Sequence, residues 1–229
     1  MLYLIPSSLG SDDVHLFLPQ GTLDIIRTLK YFIVENEKTA RYFLKTCNIP
    51  IAQSELVISV LDKHSTPDFN ALLTPALQGN DMGLLSEAGC PAVADPGAGV
   101  VKVAYSNNIL VMPLIGPSSL LLALMASGMN GQSFCFHGYL PIDAEERVRK
   151  IKLLEKDSIT RKQTQIFIET PYRNNQLLKD LMNQCDPSSR LCIACNLTLP
   201  DQFISTKKIA IWKKELPDLN KKPTVFLIG

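Results

Sequence analysis

The sequence predicts an α/β protein with two domains, of which the first contains a parallel, doubly wound sheet. Five short apolar segments in the first half alternate with segments of helical spacing, which is typical of a parallel sheet covered by helices. Beyond Gly128 the pattern changes to alternating segments and one strongly charged helix, which indicates a smaller α+β domain with a mixed sheet. We therefore expect domains at residues 1–129 and 130–229.

Composition excludes several classes of protein. The chain has 229 residues, of which 46% are hydrophobic and 20% charged, so it can bury a full core. The net charge of +1 does not by itself indicate nucleic acid or a membrane as partner. The longest apolar stretch, residues 120–126, is too short to span a bilayer.

The six cysteines lie mostly inside apolar runs, and no signal peptide is recognised before them. This pattern is typical of reduced thiols, and we expect a cytoplasmic protein. Cys192 and Cys195 form a C-x-x-C pair, but they lie in a predicted buried strand and no second pair accompanies them. We therefore expect no metal site.

Strands and helices alternate along the first domain. The predicted strands are residues 2–6, 31–34, 56–61, 83–86 and 109–114. The predicted helices are 22–30 with Thr22 as its cap, 38–47, a helix capped by Asp68 that ends at Gln78, one that ends near Ser106, and 120–127. The last helix is apolar on nearly every face, so we expect it to be wholly buried.

The second domain is predicted to contain five further strands. They are residues 134–139, 164–168, 190–196, 202–207 and 224–229. Predicted helices are 143–156, 174–185 and a short one within 209–215.

The stretch 82–99 is the most informative loop, because it combines small residues, two prolines and the acids Glu87 and Asp95. Glycine permits positive φ and proline fixes φ, so the backbone determines the shape of such a loop. Ligands bind at the carboxyl ends of strands in open α/β sheets. Four loops in such positions are candidate ligand loops: residues 7–13, 86–99, 116–119 and 169–173.

Each candidate also has a plainer structural interpretation. Asp95 precedes Pro96 and is equally suited to forming a turn or capping a helix. Ser118 and Ser119 are suited to capping the apolar helix that follows them. Glu169 is suited to a surface ion pair with Arg173, which would contribute little stability.

The central loop resembles a family signature. Ser86 to Pro91, followed by residues 94–97, resembles the S-D-A-G-T-P…D-P-G signature of the tetrapyrrole methylase superfamily, and most closely its ribosomal RNA small-subunit methyltransferase I family. Further segments resemble motifs of that family in the same order. They are residues 2–10 (L-Y-x-V-x-T-P-I-G), 113–119 (P-I-P-G-P-S-A), 126–128 (A-S-G), 136–141 (F-x-G-F-L-P), 167–173 (F-Y-E-S-P-H-R) and 194–198 (part of A-R-E-L-T).

The resemblance implies two α/β domains with S-adenosyl-L-methionine in the cleft between them, usually in a homodimer. It implies methyl transfer to RNA, specifically to a ribose 2′-hydroxyl of small-subunit ribosomal RNA, through proximity and orientation. The cofactor-binding positions that it implies are Gly10, Ser86, Glu87, Ala88, Gly89, Ser118 and Ser119. Positions implied for the substrate or the second-domain motif are Glu35, Asp95, Glu169, Pro171 and Arg173. No catalytic residue is assigned.

The chain departs from the family pattern at several polar positions. The family aspartate is Glu87, the A-E-D-T-R motif keeps only its first acid as Glu35, and the motif histidine is Tyr172. The sequence also stops before the small helical domain of the ribosomal enzymes. Two alternatives therefore remain beside RNA methylation: methylation of a small, tetrapyrrole-like molecule, and a degenerate relative that binds cofactor or RNA without catalysis.

Overall fold

The computed structural model describes residues 1–61 and 67–229. It divides into two compact units, Met1–Ser118 and Ser119–Gly229. This division falls before the apolar helix, whereas the sequence placed the boundary after it, at residue 129.

The first unit contains a parallel sheet with the strand order β3-β2-β4-β1-β5 among the described residues. Its strands are β1 (Leu2–Ile5), β2 (Tyr31–Val34), β3 (Val57–Val60), β4 (Met82–Leu85) and β5 (Val111–Pro113). Its helices are α1 (Gln20–Thr28), α2 (Glu37–Thr46), α3 (Phe69–Leu72), α4 (Thr74–Leu77) and α5 (Gly97–Ser106), with a 3₁₀ turn at Val14–Leu16. The predicted parallel sheet is confirmed.

Both faces of this sheet are covered by helices. Along β2, Phe32 belongs to an apolar cluster with residues of α1 and α2, whereas its neighbour Ile33 belongs to a cluster with residues of α5. Successive strand residues face opposite sides of a sheet, so the two clusters are its two faces. The carboxyl ends of β1, β2 and β4 therefore lie side by side at one edge of a doubly wound sheet.

Two local predictions for this unit were wrong. Thr22 does not cap α1, which begins at Gln20 after Pro19; the Thr22 hydroxyl instead donates a hydrogen bond to the carbonyl of Ile115 at 2.9 Å. The helix predicted from Asp68 to Gln78 is two short helices, α3 and α4. Pro75 lies in the first turn of α4, and its ring removes the N–H that a continuous helix would need.

The second unit contains a mixed sheet, as predicted, with the order β6-β7-β10-β8-β9. Its strands are β6 (Phe134–Tyr139), β7 (Thr164–Ile168), β8 (Arg190–Cys195), β9 (Phe203–Lys208) and β10 (Thr224–Ile228). Its helices are α6 (Ser119–Ser127), α7 (Ala144–Thr160), α8 (Asn174–Gln184) and α9 (Ile209–Trp212). The β6–β7 pair is parallel, and the pairs with β10 and between β8 and β9 are antiparallel.

Aromatic side chains form much of the core of the second unit. The rings of Phe167 and Phe226 stack with centroids 5.9 Å apart, and both are fully buried. Trp212 is also buried, and its indole N–H donates a hydrogen bond to the carbonyl of Leu191 at 2.9 Å. The indole is thus satisfied within the core.

The expectation that the apolar helix is wholly buried was wrong. One face of α6 packs against β8, β9 and β10, with Ala123 and Leu124 buried. On the opposite face, Leu121 is 52% exposed and Met125 79% exposed. Only one face of α6 packs against a core, because the helix covers a single sheet, that of the second unit.

The Cys192–Cys195 pair is buried in β8, as predicted. Among residues 1–61 and 67–229, no group of three or more His, Cys, Asp or Glu side chains is arranged to bind a metal. No helix in this part of the chain is long and apolar enough to cross a membrane.

Candidate functional site

Three of the four predicted ligand loops converge at one edge of the first sheet. The loops after β1 and β4 form an antiparallel bridge, in which the Ser7 amide donates to the carbonyl of Gly89 at 2.9 Å and the Gly89 amide to that of Ser7 at 3.3 Å. Gly116 of the third loop lies so close to Pro6 that a side chain at residue 116 would overlap the proline ring. The fourth loop, residues 169–173, belongs to the second unit.

The loop after β4 is shaped by its own hydrogen bonds. The Ser7 hydroxyl donates a hydrogen bond to the backbone carbonyl of Ser86 at 3.0 Å. The Ser86 hydroxyl in turn donates to the carbonyl of Gly89 at 3.1 Å. Gly89 has a φ of +73°, a left-handed conformation that favours glycine. The Ser86 side chain therefore holds the turn in which Gly89 lies.

Asp95 stabilises the turn before α5, as its position before Pro96 suggests. Ala92 and Ala94 both have positive φ, at 65° and 60°, which costs about 1–2 kcal/mol for each non-glycine residue. One Asp95 carboxylate oxygen accepts hydrogen bonds from the amides of Ala92 (2.8 Å) and Gly97 (2.7 Å). These bonds offset the strain and fix the loop at the start of α5.

Two acids meet where β2 and β4 end. The Glu87 amide donates to a carboxylate oxygen of Glu35 at 3.3 Å. The Thr39 hydroxyl, on α2, donates to the Glu87 carboxylate at 2.6 Å. Helix α2 begins next to Glu35 because Asn36 caps it by accepting bonds from two backbone amides. The Glu87 carboxylate thus contacts α2.

A cavity of about 570 Å³ lies between these loops and α2, a volume typical of ligand sites. It is lined by Ser7 to Asp12, Val34, Lys38, Thr39, Ala40, Tyr42, Phe43, Thr46 and Leu85 to Ala88. Of the sequence-predicted cofactor positions, Gly10, Ser86, Glu87 and Ala88 line it. Gly89, Ser118 and Ser119 do not.

Sequence reasoning missed the contribution of α2. Lys38, Tyr42 and Thr46 follow each other at intervals of four residues and line the cavity. The Tyr42 side chain is 55% exposed, and a hydrogen bond to Asp12 raises the pKa of its phenol. The spacing of four was visible in the sequence, but the pairing of α2 with the loop after β1 is a tertiary contact.

The second-unit motif forms a compact polar cluster. Glu169 follows β7, and its side chain is only 2% exposed. Its carboxylate accepts bonds from the Thr170 amide (2.6 Å) and the Arg173 guanidinium (2.5 Å). The predicted pairing is present, but the acid is buried rather than on the surface.

This cluster is joined to the segment before β10. The carbonyl of Pro171 accepts a bond from the Lys221 amide at 3.0 Å, and the buried Asn174 amide group donates to the carbonyl of Lys222 at 2.7 Å. These contacts hold the 169–173 loop in place. A second cavity of about 250 Å³ in this unit is lined by other residues, among them Asn130, Lys162 and Arg190.

Solved structures of other proteins have a similar fold. The methyltransferase CobJ matches with a TM-score of 0.65 and 17% identity, over 100% of this chain and 93% of that one. A cobalt precorrin-4 methyltransferase matches with a TM-score of 0.61 and 13% identity, over 100% and 94%. A uroporphyrin-III-C-methyltransferase from Thermus thermophilus matches with 0.58 and 14%, over 100% and 93%. The fold is that of the tetrapyrrole methylases.

Sequence relatives identify the family. The ribosomal RNA small subunit methyltransferase I of Vibrio cholerae serotype O1 is 30% identical over 232 residues, which cover 100% of this chain and 76% of the relative. The protein of the same name from Bacillus subtilis strain 168 is 31% identical over 178 residues, 78% of this chain and 57% of the relative. No family model matches the chain. The chain belongs to the ribosomal RNA small subunit methyltransferase I family, whose members are methyltransferases that use S-adenosyl-L-methionine.

Proposed function

We propose that this protein methylates a ribose 2′-hydroxyl of small-subunit ribosomal RNA with S-adenosyl-L-methionine as methyl donor. The observation that supports the proposal most directly is the full-length similarity to a ribosomal RNA methyltransferase. In this chain the family's loop motif also lines a large cavity at the carboxyl ends of the strands.

The residues present fit the cofactor. Its sulfonium is cationic and its ribose has a free diol, and carboxylates complement both groups. Glu87 provides a carboxylate in the cavity lining, and its amide donates a hydrogen bond to the carboxylate of Glu35. The compact turn at Gly89 allows close approach of the backbone. We assign Gly10, Ser86, Glu87, Ala88 and Gly89 to cofactor binding, with Ser118 and Ser119 as the remaining candidates. The bound cofactor supplies a methyl group on a good leaving group.

The protein's own contribution is orientation. The hydrogen bonds of Ser7, Ser86 and Asp95 fix the loop backbone before any ligand arrives. A rigid site of this kind accelerates transfer by holding the acceptor oxygen in line, without a metal or a covalent nucleophile.

The relatives disfavour the tetrapyrrole alternative. The ribosomal RNA methyltransferase of Vibrio cholerae is 30% identical to this chain, whereas the tetrapyrrole methyltransferases of similar fold are 13–17% identical. We therefore favour RNA as the acceptor.

Calorimetric titration with S-adenosyl-L-methionine, and separately with its demethylated product, tests the cofactor. We expect micromolar affinity, about −8 kcal/mol. Tritiated cofactor and unmodified small ribosomal subunits then test transfer, and resistance of the labelled linkage to alkaline cleavage identifies a 2′-O-methyl group. Absence of binding at millimolar concentration contradicts the proposal. Binding without transfer supports the degenerate relative instead.

The substitution Glu87→Gln tests the acid at this site. It keeps the shape of the side chain and removes its charge, so we expect the Kd for S-adenosyl-L-methionine to rise about tenfold, a loss of about 1.4 kcal/mol. Glu55→Gln is the matched control, because Glu55 is exposed and does not line the cavity. Equal affinities of the two variants would remove Glu87 from the cofactor site.

We also propose that the protein is a homodimer that acts on RNA in the cytoplasm, as the resemblance implies. The exposed Leu121 and Met125 side chains on α6 are compatible with further burial in an assembly. Light scattering tests the assembly, with an expected mass of twice the 25.4 kDa of the chain.

A further inference from the structure

The large cavity of the first unit has two chemically different walls. One wall is the loop after β4, which contains the proposed cofactor-binding residues Ser86, Glu87 and Ala88. The other wall is the side of α2 that contains Lys38, Tyr42 and Thr46. Lys38 stands at the last position of the A-E-D-T-R motif, where the family has arginine, whereas Tyr42 and Thr46 lie outside the family motifs.

Tyr42 presents an aromatic ring to this space. It is 55% exposed although it lines the cavity, and Asp12 in the loop after β1 belongs to the same lining. Exposed aromatic rings held beside polar groups are the platforms on which proteins stack unpaired bases of RNA.

Lys38 lies one helical turn before Tyr42, and its side chain is exposed. None of the ion pairs among residues 1–61 and 67–229 uses its ammonium group. Arg41, on the neighbouring turn, is by contrast paired with Glu37 at 2.8 Å. Lys38 is therefore available for an anionic group at the cavity, such as a phosphate.

The loop after β1 adds hydrogen-bond acceptors to the cavity lining. The Asp12 carboxylate and the hydroxyl oxygen of Ser8, which already accepts a bond from the Gly10 amide at 2.9 Å, lie in the same lining. Acceptors of this kind suit the amino and imino donors on the edge of a base and the hydroxyls of a ribose. An aromatic ring, a cation and acceptors together match the parts of one nucleotide.

We propose that this cavity receives a single unstacked nucleotide of the acceptor RNA, with its base against the ring of Tyr42 and its phosphate at Lys38. The inference rests on the proposed function, and it assigns the α2 wall to the acceptor and the wall after β4 to the cofactor. Enzymes that modify nucleotides commonly take them out of the stack into such pockets.

The first test compares Tyr42→Ala, Tyr42→Phe and Tyr105→Ala. Tyr105 is the control, because it is 63% exposed on α5 and does not line the cavity. With small ribosomal subunits and tritiated cofactor, we expect Tyr42→Ala to raise the KM for the subunits about tenfold or more. Tyr42→Phe should raise this KM less, because it keeps the aromatic ring. The Kd for S-adenosyl-L-methionine should change less than twofold in all three variants.

The second test uses salt dependence, which a merely structural role of α2 would not change. Lys38→Gln should reduce the slope of log K for RNA binding against log salt concentration by about 1, because one phosphate contact is lost. Lys102→Gln, an exposed lysine of α5, should leave the slope unchanged.

The outcomes separate this inference from the proposed function. If the wild-type protein methylates RNA but Tyr42→Ala retains its KM, or if Lys38→Gln retains its slope, the assignment of the α2 wall is overturned. If Tyr42→Ala weakens cofactor binding as much as RNA binding, the cavity is a cofactor site alone and the inference is overturned. If the wild-type protein neither binds S-adenosyl-L-methionine nor methylates RNA, the proposed function itself has failed. Circular dichroism of each variant confirms that it is folded.

Discussion

Gly89 shows how one residue determines the shape of the site. Its amide and carbonyl both bond to Ser7, and its φ of +73° lies in the left-handed region. A Cβ atom at this position would lie 3.4 Å from the Leu9 side chain and 3.7 Å from the carbonyl of Pro117, which is ordinary contact. Backbone strain, and not overlap, therefore determines the cost of replacing it.

We expect Gly89→Ala to destabilise the protein by about 1–2 kcal/mol, the cost of a left-handed conformation for a residue with a side chain. Gly21→Ala is the matched control. Gly21 lies in α1 with nothing within 4 Å of a new Cβ atom, and this substitution should stabilise by about 0.5–1 kcal/mol. Urea unfolding followed by far-UV circular dichroism measures both, and equal midpoints for the two variants would contradict the argument.

Residues of the site were predictable from sequence to the extent that they belong to a local loop. Gly10, Ser86, Glu87 and Ala88 line the cavity because each lies in a loop that follows a strand of the parallel sheet. Tyr42 was missed because it joins the cavity lining only through the packing of α2 beside the loop after β1, which is a tertiary contact.

At the scale of elements, α7 and α8 are joined by one arginine. The Arg147 guanidinium donates to the Asp180 carboxylate at 2.7 Å and to the carbonyls of Pro141 and Ile142 at 3.2 and 2.6 Å. The side chains of Arg147 and Asp180 are only 11% and 16% exposed. The arginine therefore fixes both helices and the segment that leads into α7.

We expect Arg147→Ala to cost about 3 kcal/mol, because it leaves a largely buried carboxylate without its cation. Arg161→Ala should change stability by less than about 1 kcal/mol, since its pair with Asp157 is at 3.4 Å and the arginine is 67% exposed. Denaturant titration monitored at the tryptophan compares the two. A similar loss of stability in both variants would show that burial does not determine how much an ion pair contributes to stability.

The bounds of three strands were predicted correctly. The strands Tyr31–Val34, Phe134–Tyr139 and Thr164–Ile168 have the predicted bounds. The wholly apolar α6 was misjudged because composition shows that a helix is apolar but not how many of its faces are covered. Tertiary packing decides which faces of a helix are buried, and the sequence pattern of the helix does not show that packing.

At the scale of the whole molecule, buried thiols make stability depend on alkaline pH. Burial raises the pKa of Cys47 in the first unit and of Cys185 in the second to about 12, from an ordinary value of 9.0. In the unfolded chain these thiols ionise near pH 9, whereas the folded protein keeps them protonated. Their contribution to stability is thus complete below pH 9 and is lost as the pH rises towards 12.

We expect the free energy of unfolding to fall between pH 9 and pH 11, by at most about 1.4 kcal/mol per pH unit for each buried thiol. Urea titrations at pH 8, 9, 10 and 11 under reducing conditions measure the slope. The Cys47→Ala variant should have a shallower slope than the wild type over this range, although it is less stable at pH 8. A slope equal to that of the wild type would exclude Cys47 as a source of the pH dependence.

The buried indole of Trp212 has a practical consequence for spectroscopy. The sequence has one tryptophan, and in the folded protein Lys207 lies 4.7 Å from its ring centroid while Phe203 packs edge-on against it. Intrinsic emission excited at the red edge therefore comes from a single chromophore, and it reports the integrity of the core around α9. Unfolding of the second unit can be followed in this way without any label, as a shift of the emission to longer wavelength.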